Sequence, residues 1–205
     1  LPLGDYLLLL VIFFTIAGVG FLPGIGLGLL AICLMFVAKF SGTSVVRQEV
    51  SGENQRSNID RSAPQRRALH EHGGQILILQ LHNYLFFGTA SQILQKIRDR
   101  AVDPGRPKLR YVLLDCRLVT GIDSSAGMSL ARLQQLAEAM GFLTVYASIS
   151  EAMLQRLFQG DLARARNGRM QTFPDLDHAL EWIEDRILEE RDLGKSSSRL
   201  SVYKQ

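Results

Sequence analysis

The sequence is poor in cysteine, and this limits the kinds of site that it can hold. Only two cysteines occur in 205 residues: Cys33 lies in an apolar run, and Cys116 lies in a predicted buried strand. Neither has a histidine or another cysteine at metal-ligand spacing, so the sequence predicts no metal centre and no disulfide framework. Both are expected to be reduced packing residues, as is typical of a reducing compartment.

The chain also lacks the common signatures of catalysis and of nucleic-acid binding. It has no Ser-His-Asp order, no Walker loop and no GxGxxG motif. The net charge is +3 and the isoelectric point is about 9.0, but the excess positive charge forms no basic stripe with interleaved aromatic residues. The sequence therefore predicts a protein that is not an enzyme, with no catalytic residues, no cofactor and no nucleic-acid partner.

Charged side chains are absent from residues 6–38, a run of 33 residues. As one helix this run would be about 50 Å long, whereas the hydrocarbon core of a bilayer is about 30 Å thick. Gly20, Pro23 and Gly24 interrupt it, and a proline removes a helical hydrogen bond while glycine relaxes the backbone. The run therefore predicts two short transmembrane helices, over residues 7–18 and 24–40, with a break at these three residues.

The flanks of the apolar run indicate its place in a membrane. Asp5 is the only charge before it, so the basic start of a secretory signal peptide is absent. Lys39 and a series of arginines follow it, which under the positive-inside rule predicts that the next domain is cytoplasmic. Because two short helices would make a poor independent transporter, we expect residues 1–40 to be the last membrane elements of a chain that begins before Leu1.

The remaining residues predict one compact domain. Residues 41–73 are polar and predict a linker, residues 74–191 predict the domain, and residues 192–205 predict a flexible tail or an onward linker. Short apolar runs predict strands over residues 76–81, 84–87, 111–116, 143–147 and 170–173. Helical patterns begin near Thr89, Ser124, Ser150 and Asp175. This alternation predicts an α/β fold with a mostly parallel sheet flanked by helices.

The turn after the third strand holds the candidate site of this domain. Asp123, Ser124 and Ser125 place two hydroxyl groups at the start of a helix. A phosphate added there would meet free backbone N–H groups and the positive end of the helix dipole, so these residues are candidates for a regulatory phosphorylation site. The alternative is that Asp123 and Ser124 only cap the helix, because Asp and Ser are common caps.

The order of the elements, the Asp123-Ser124-Ser125 turn and the closing segment 173–180 resemble a STAS domain, the module shared by sulfate transporters and anti-sigma-factor antagonists. The resemblance covers residues 74–191. In the antagonists the second serine of this turn accepts the phosphate, which implies Ser125 as the phosphoacceptor. Here Ala126 follows, where the antagonists have a glycine. That difference and the apolar run argue against an antagonist proper.

The glycine-rich segment 20–30 is similar to the last membrane helices that precede the STAS domain in the SulP family of anion permeases. This resemblance implies the C-terminal part of a secondary transporter of inorganic anions, such as sulfate or bicarbonate, built from inverted repeats. It implies an integral membrane protein whose cytoplasmic STAS domain serves regulation, trafficking or dimer contacts. The implied partners are the anion, membrane lipids, a second copy of the chain and a regulatory protein.

Two other functions fit the same residues. A membrane-tethered STAS switch would act through phosphorylation of Ser125 and partner binding, as a relative of the antagonists, without transport. A structural dimerisation module would use no regulatory chemistry. Further membrane helices encoded upstream of Leu1 would favour the transporter, and unequal effects of substitutions at Ser124 and Ser125 would favour regulation.

Overall fold

A computed structural model describes residues 3–41, 45–158 and 169–191. The contacts within it divide the chain into two compact units, residues 1–43 and residues 44–205. The first unit is helical and the second is a mixed α/β domain. The tail expected over residues 192–205 lies outside the described residues.

The first unit consists of helix α1 (Leu3–Gly18) and helix α2 (Phe21–Ser41). The break between them lies at Gly20, whose φ of 123° is a backbone conformation that favours glycine. Pro23 lies in the first turn of α2, where the missing N–H of a proline removes no helical hydrogen bond. For this reason α2 begins three residues before the start that was predicted at Gly24.

Helices α1 and α2 run antiparallel and approach each other at two glycines. A Cβ atom added to Gly24 would lie 2.2 Å from Cγ1 of Ile16 and 3.2 Å from its backbone nitrogen. A Cβ atom added to Gly28 would lie 3.1 Å from Cδ1 of Ile12, whereas Gly26 between them faces open space. Residues four apart share one helix face, so these two glycines let the helix backbones pack closely.

Many apolar side chains of this unit are exposed. They include Leu9, Leu10, Phe13, Phe14, Leu22, Leu29, Leu30 and Ile32. A contiguous apolar surface of this kind marks a site of contact with another molecule. Within residues 3–41 and the other described ranges, no helix combines the length and the apolarity that a membrane crossing requires.

The second unit is built on a sheet that has five strands in the described part of the chain. In chain order and in spatial order they are β1 (Val46–Ser51), β2 (Ile76–Leu85), β3 (Tyr111–Ile122), β4 (Leu143–Ala147) and β5 (Met170–Phe173). β1 is antiparallel to β2, and the other neighbouring strands are parallel. The predicted α/β fold with a mostly parallel sheet is therefore confirmed.

Helices cover both faces of this sheet. One face carries α4 (Phe87–Val102), α5 (Ser124–Met140) and α6 (Glu151–Phe158), and the other carries α3 (Ala63–His72) and α7 (Leu176–Glu189). Successive residues of a strand point to opposite faces. Accordingly, Leu77 and Leu79 of β2 pack with the first group of helices, whereas Ile76 and Ile78 pack with the second.

Two expectations about the first half of this unit need correction. Residues 41–73, expected as a linker, contain β1 and α3. β1 is an edge strand with largely exposed side chains, so its sequence lacks the apolar run of a buried strand. The strands expected over residues 76–81 and 84–87 are one strand, β2, whose register with β3 shifts beside Asn83, and Phe87 begins α4.

The segment that joins β1 to α3 is held on α7 by a buried carboxylate. Glu184, with a side chain only 4% exposed, accepts hydrogen bonds from the backbone N–H of Ser57 at 2.8 Å and from its hydroxyl at 2.6 Å. Arg61 lies 3.3 Å from the same carboxylate and 2.5 Å from that of Asp185. We refer to Ser57, Arg61, Glu184 and Asp185 as the Glu184 clamp.

Candidate functional site

The three candidate regulatory residues lie at the carboxyl end of β3, where the chain enters α5. Asp123 is the N-cap of α5, because its Oδ1 accepts a hydrogen bond from the backbone N–H of Ala126 at 2.9 Å. Ser124 is the first helical residue, and it is exposed. Asp123 therefore has the capping role that its residue type indicates, whereas Ser124 begins the helix instead of capping it.

The hydroxyl of Ser125 joins two helices. It donates a hydrogen bond to Oδ1 of Asp123 at 2.6 Å and accepts one from the backbone N–H of Phe87 at 3.0 Å. Phe87 is the first residue of α4, and it is 38 positions from Ser125 in the sequence. The oxygen of Ser125 therefore lies at the N-termini of both α4 and α5. Sequence reasoning missed Phe87, because no local pattern signals a contact over this separation.

Side-chain hydrogen bonds hold the two helix starts side by side. The N-cap of α4 is Phe86, and its backbone N–H donates to Oγ1 of Thr89 at 2.9 Å. Thr89, near which the sequence predicts the start of the helix, is the third helical residue, and its side chain reaches back to Phe86 as in a capping box. The hydroxyls of Ser91 and Ser129, 3.3 Å apart, join α4 to α5 farther along.

This geometry couples charge on Ser125 to the start of α5. Each helix N-terminus carries roughly half a positive elementary charge, so an anion at the Ser125 oxygen faces two positive ends. A phosphoryl group accepts hydrogen bonds but, when fully ionised, cannot donate one to Asp123, and its charge repels that carboxylate. Added phosphate would therefore break the hydrogen bond between Ser125 and Asp123 and weaken the Asp123 cap.

Exposed apolar side chains occur near this turn on four elements. They are Tyr84 on β2, Leu118 on β3, Phe87 on α4 and Met128 on α5. The ring of Tyr84 lies over Gly121, where an added Cβ atom would be 2.6 Å from the ring. Exposed apolar side chains of this kind are typical of surfaces that protein partners contact.

Among the described residues, no group of three or more His, Cys, Asp and Glu side chains could hold a metal ion. Cys116 is buried in β3, and burial, with a smaller effect of the Asp115 charge, raises the pKa of its thiol to about 12. The thiol therefore stays protonated at neutral pH and is a packing group.

The chain enters the domain at the same end of the sheet. The carbonyl of Val45, just before β1, accepts a hydrogen bond from the backbone N–H of His82 at 3.0 Å. Beyond it on β2, the carbonyl of Leu85 accepts one from the backbone N–H of Asp123 at 3.0 Å. Both the entry point and the Ser125 turn therefore lie at the carboxyl end of β2.

Comparison with known protein families identifies the domain. The STAS domain family matches residues 67–179, which is more than half of the chain. This chain belongs to the STAS domain family. The matched part of the STAS domain contains Asp123, Ser124 and Ser125 and the starts of α4 and α5. Gly20, Pro23 and Gly24 lie outside it, in the helical unit.

The similarity between this chain and its relatives extends beyond the STAS domain. The vacuolar basic amino acid transporter VSB1 of Saccharomyces cerevisiae is 30% identical over 191 residues, which are 90% of this chain and 18% of VSB1. The murine Solute Carrier 26 family member A9 anion transporter, in its inward-facing state, has a TM-score of 0.58 at 17% identity, over 91% of this chain and 31% of that one. A further SLC26A9 structure has a TM-score of 0.55 at 14% identity, with the same coverage. The chain thus spans less than a third of each of these relatives.

Proposed function

We propose that this chain is the C-terminal part of a secondary transporter of the SulP type, in which the STAS domain regulates transport. One observation carries the proposal. The similarity to VSB1 runs over 191 residues and 90% of the chain, so it extends into the helical unit as well as over the STAS domain. A STAS domain that acted alone would give no reason for the helical unit to be shared with a transporter.

The helical unit has properties that suit a transporter core. It is free of charge over residues 6–38, its apolar side chains are exposed, and its helices pack closely at Gly24 and Gly28. Inverted-repeat transporters use short, glycine-interrupted or proline-interrupted membrane segments near their substrate sites. In the proposal this unit lies in the membrane among further helices, and the cations from Lys39 onward keep the STAS domain in the cytoplasm.

The substrate in this proposal is a small charged solute. The SulP resemblance favours an inorganic anion such as sulfate or bicarbonate, whereas the name of VSB1 indicates basic amino acids for that relative. The binding site lies mostly in membrane segments outside this chain. Uptake of labelled sulfate, bicarbonate and arginine by the complete transporter would distinguish these substrates.

Regulation is assigned to Ser125, because its hydroxyl joins the starts of α4 and α5. Phosphorylation of Ser125 would weaken the Asp123 cap of α5 and place negative charge at the start of α4, at the end of the sheet where the chain enters the domain. The exposed apolar side chains around the turn provide a surface for a regulatory protein or for a second copy of the chain. Charge at Ser125 would then alter transport through this end of the domain.

The test compares uptake by the complete transporter and by three variants. Ser125→Asp adds charge at the junction, Ser125→Ala removes the hydroxyl, and Ser124→Ala is the matched control on an exposed neighbour. We expect Ser125→Asp to change uptake by about fivefold or more, which is the lower range of allosteric coupling, and Ser124→Ala to leave it unchanged. Equal effects of Ser125→Asp and Ser124→Ala would contradict regulation at Ser125.

A second candidate function is a membrane-tethered switch without transport. The contacts of Ser125 favour it, since they would serve a phosphorylation switch equally well. The two functions differ in what precedes Leu1: the transporter requires about ten or more further membrane helices, and the switch requires none. A complete protein without such helices would contradict the transporter and favour the switch.

A further inference from the structure

Helix α3 turns a basic face away from the domain. Its buried residues, Gln65, Ala68 and Leu69, recur at helical spacing, and Ala68 and Leu69 pack in the same apolar cluster as Ile183 and Ile187 of α7. The intervening residues are exposed: Arg66, Arg67, His70 and Glu71. Because the apolar face fixes the rotation of the helix, its cationic face must point outward.

This face forms one side of an open groove of about 470 Å³. The residues that line it are Arg56, Ala63, Arg66, Arg67, His70 and Glu71. The lining therefore includes three arginines and one glutamate, although Arg56 is ten positions from Arg66 in the sequence. Ala63 is the first residue of α3, so the positive end of the helix dipole adds to the same potential.

The cations of this groove remain available to a ligand. Arg66 donates a hydrogen bond to the carbonyl of Arg61 at 2.8 Å and lies 3.8 Å from Asp60, but both charged side chains are more than half exposed. Exposed pairs of this kind contribute little. Within the described ranges, neither Arg56 nor Arg67 lies within ion-pair distance of a carboxylate. By contrast, Arg61 is held by two carboxylates of the Glu184 clamp.

The groove is also held in shape by the rest of the domain. The Glu184 clamp fixes the segment that carries Arg56 against α7. At the start of α3, Oε1 of Gln65 accepts hydrogen bonds from the backbone N–H of Ser62 at 3.0 Å and from its hydroxyl at 3.1 Å. Arginines presented from ordered backbone lose less conformational freedom on binding, which favours affinity.

We propose that this groove binds the phosphate-bearing headgroup of an anionic membrane lipid. Guanidinium groups match phosphate oxygens in geometry and charge, and several of them together suit a headgroup with more than one phosphate. A bilayer surface is the source of phosphate that a domain linked to membrane helices meets at high local concentration. The proposal rests on the proposed function in this respect, because a lipid partner requires attachment to a membrane.

The test measures binding of short-chain phosphatidylinositol bisphosphate to the full chain in detergent micelles. Each arginine near an anionic lipid surface contributes an affinity factor of about fivefold, so Arg66→Ala/Arg67→Ala should weaken binding by roughly 25-fold. Arg98→Ala/Arg132→Ala removes the same charge from exposed positions on α4 and α5, and it should change binding less than about twofold. The far-ultraviolet circular dichroism of both variants verifies that they are folded.

Three results would overturn the proposal. Equal losses in the two double variants would show attraction to the net charge of the chain. Equally tight binding of short-chain phosphatidylcholine would show that the lipid tails are recognised. Equally tight binding of free inositol trisphosphate would show a site for soluble phosphate instead of a lipid. Flotation of the full chain with neutral vesicles tests membrane attachment separately, so its failure counts against the proposed function and leaves the micelle result interpretable.

Discussion

Replacing Glu184 with alanine is expected to loosen the contact between α7 and the segment that precedes α3. The carboxylate of Glu184 is 4% exposed and receives two hydrogen bonds from Ser57 as well as the nearby charge of Arg61. Its removal leaves the partly buried N–H group of Ser57 and a largely buried guanidinium, whose side chain is 10% exposed, with fewer partners. Breaking a buried ion pair costs about 3–5 kcal/mol. Because Asp185 still faces Arg61, we expect about 3 kcal/mol.

Two other variants serve as comparisons for Glu184→Ala. Glu184→Gln keeps an acceptor for Ser57 but removes the charge that faces Arg61, so it should cost less than Glu184→Ala. Asp185→Ala is the matched control, because that carboxylate is 48% exposed and also pairs with Arg61. An exposed pair contributes about 1 kcal/mol or less.

The measurement is urea unfolding of the full chain, followed by tryptophan fluorescence. Trp182 is the only tryptophan, and it lies in α7 with its ring 5.5 Å from that of Phe173 and 6.5 Å from that of Tyr111. Its signal therefore reports on the STAS domain and not on the helical unit. If Glu184→Ala lowers the free energy of unfolding no more than Asp185→Ala does, the buried clamp does not hold this segment in the way its geometry indicates.

Two further predictions concern the helix pair and the start of α7. Gly24→Ala should destabilise the packing of α1 on α2 by about 1–3 kcal/mol, because the added methyl group overpacks the contact. Gly26 faces open space, so Gly26→Ala should have little effect. Thermal unfolding in detergent, followed by circular dichroism, compares the two variants, and equal midpoints would contradict the close packing. The pKa of Asp175 is lowered, mainly by a hydrogen bond from the backbone of His178 and to a smaller extent by one from its side chain. The same side-chain hydrogen bond raises the pKa of His178. The contribution of this pair to stability should be lost as the pH falls through the lowered pKa of Asp175, and also as the pH rises through the raised pKa of His178. NMR titration of His178 in the native chain and in an Asp175→Asn variant measures this effect. An unchanged pKa of His178 in the variant would contradict the interaction of the two groups.

The parts of the fold that the sequence predicts are those with local signals. Apolar runs mark the buried strands β3 and β4, and Gly141, with φ of 78°, closes α5 where its pattern ends. β1 could not be found in this way. An edge strand keeps most of its side chains in water, and its place in the sheet comes from pairing with β2, which is remote in the sequence.

The candidate site likewise has one part that the sequence predicts and one part that it does not. The type and position of Asp123 predict a helix cap, because capping depends on residues within one turn. The contact between Ser125 and Phe87 requires α4 and α5 to start at the same edge of the sheet. That arrangement depends on how the two helices pack, which local residue order does not specify.

The sequence by itself determined a charge-free segment with a break at or near Gly20, Pro23 and Gly24, an α/β domain behind it and a hydroxyl-bearing turn at a helix start. These follow from hydrophobic periodicity and backbone preferences, which act over a few neighbouring residues. Only the structure decided that Gly20 makes the break while Pro23 lies in the first turn of α2, that Ser125 joins two helices, and that Arg56 lines a groove with the basic face of α3. The last two depend on contacts between distant segments, because packing and not sequence neighbourhood brings such groups together.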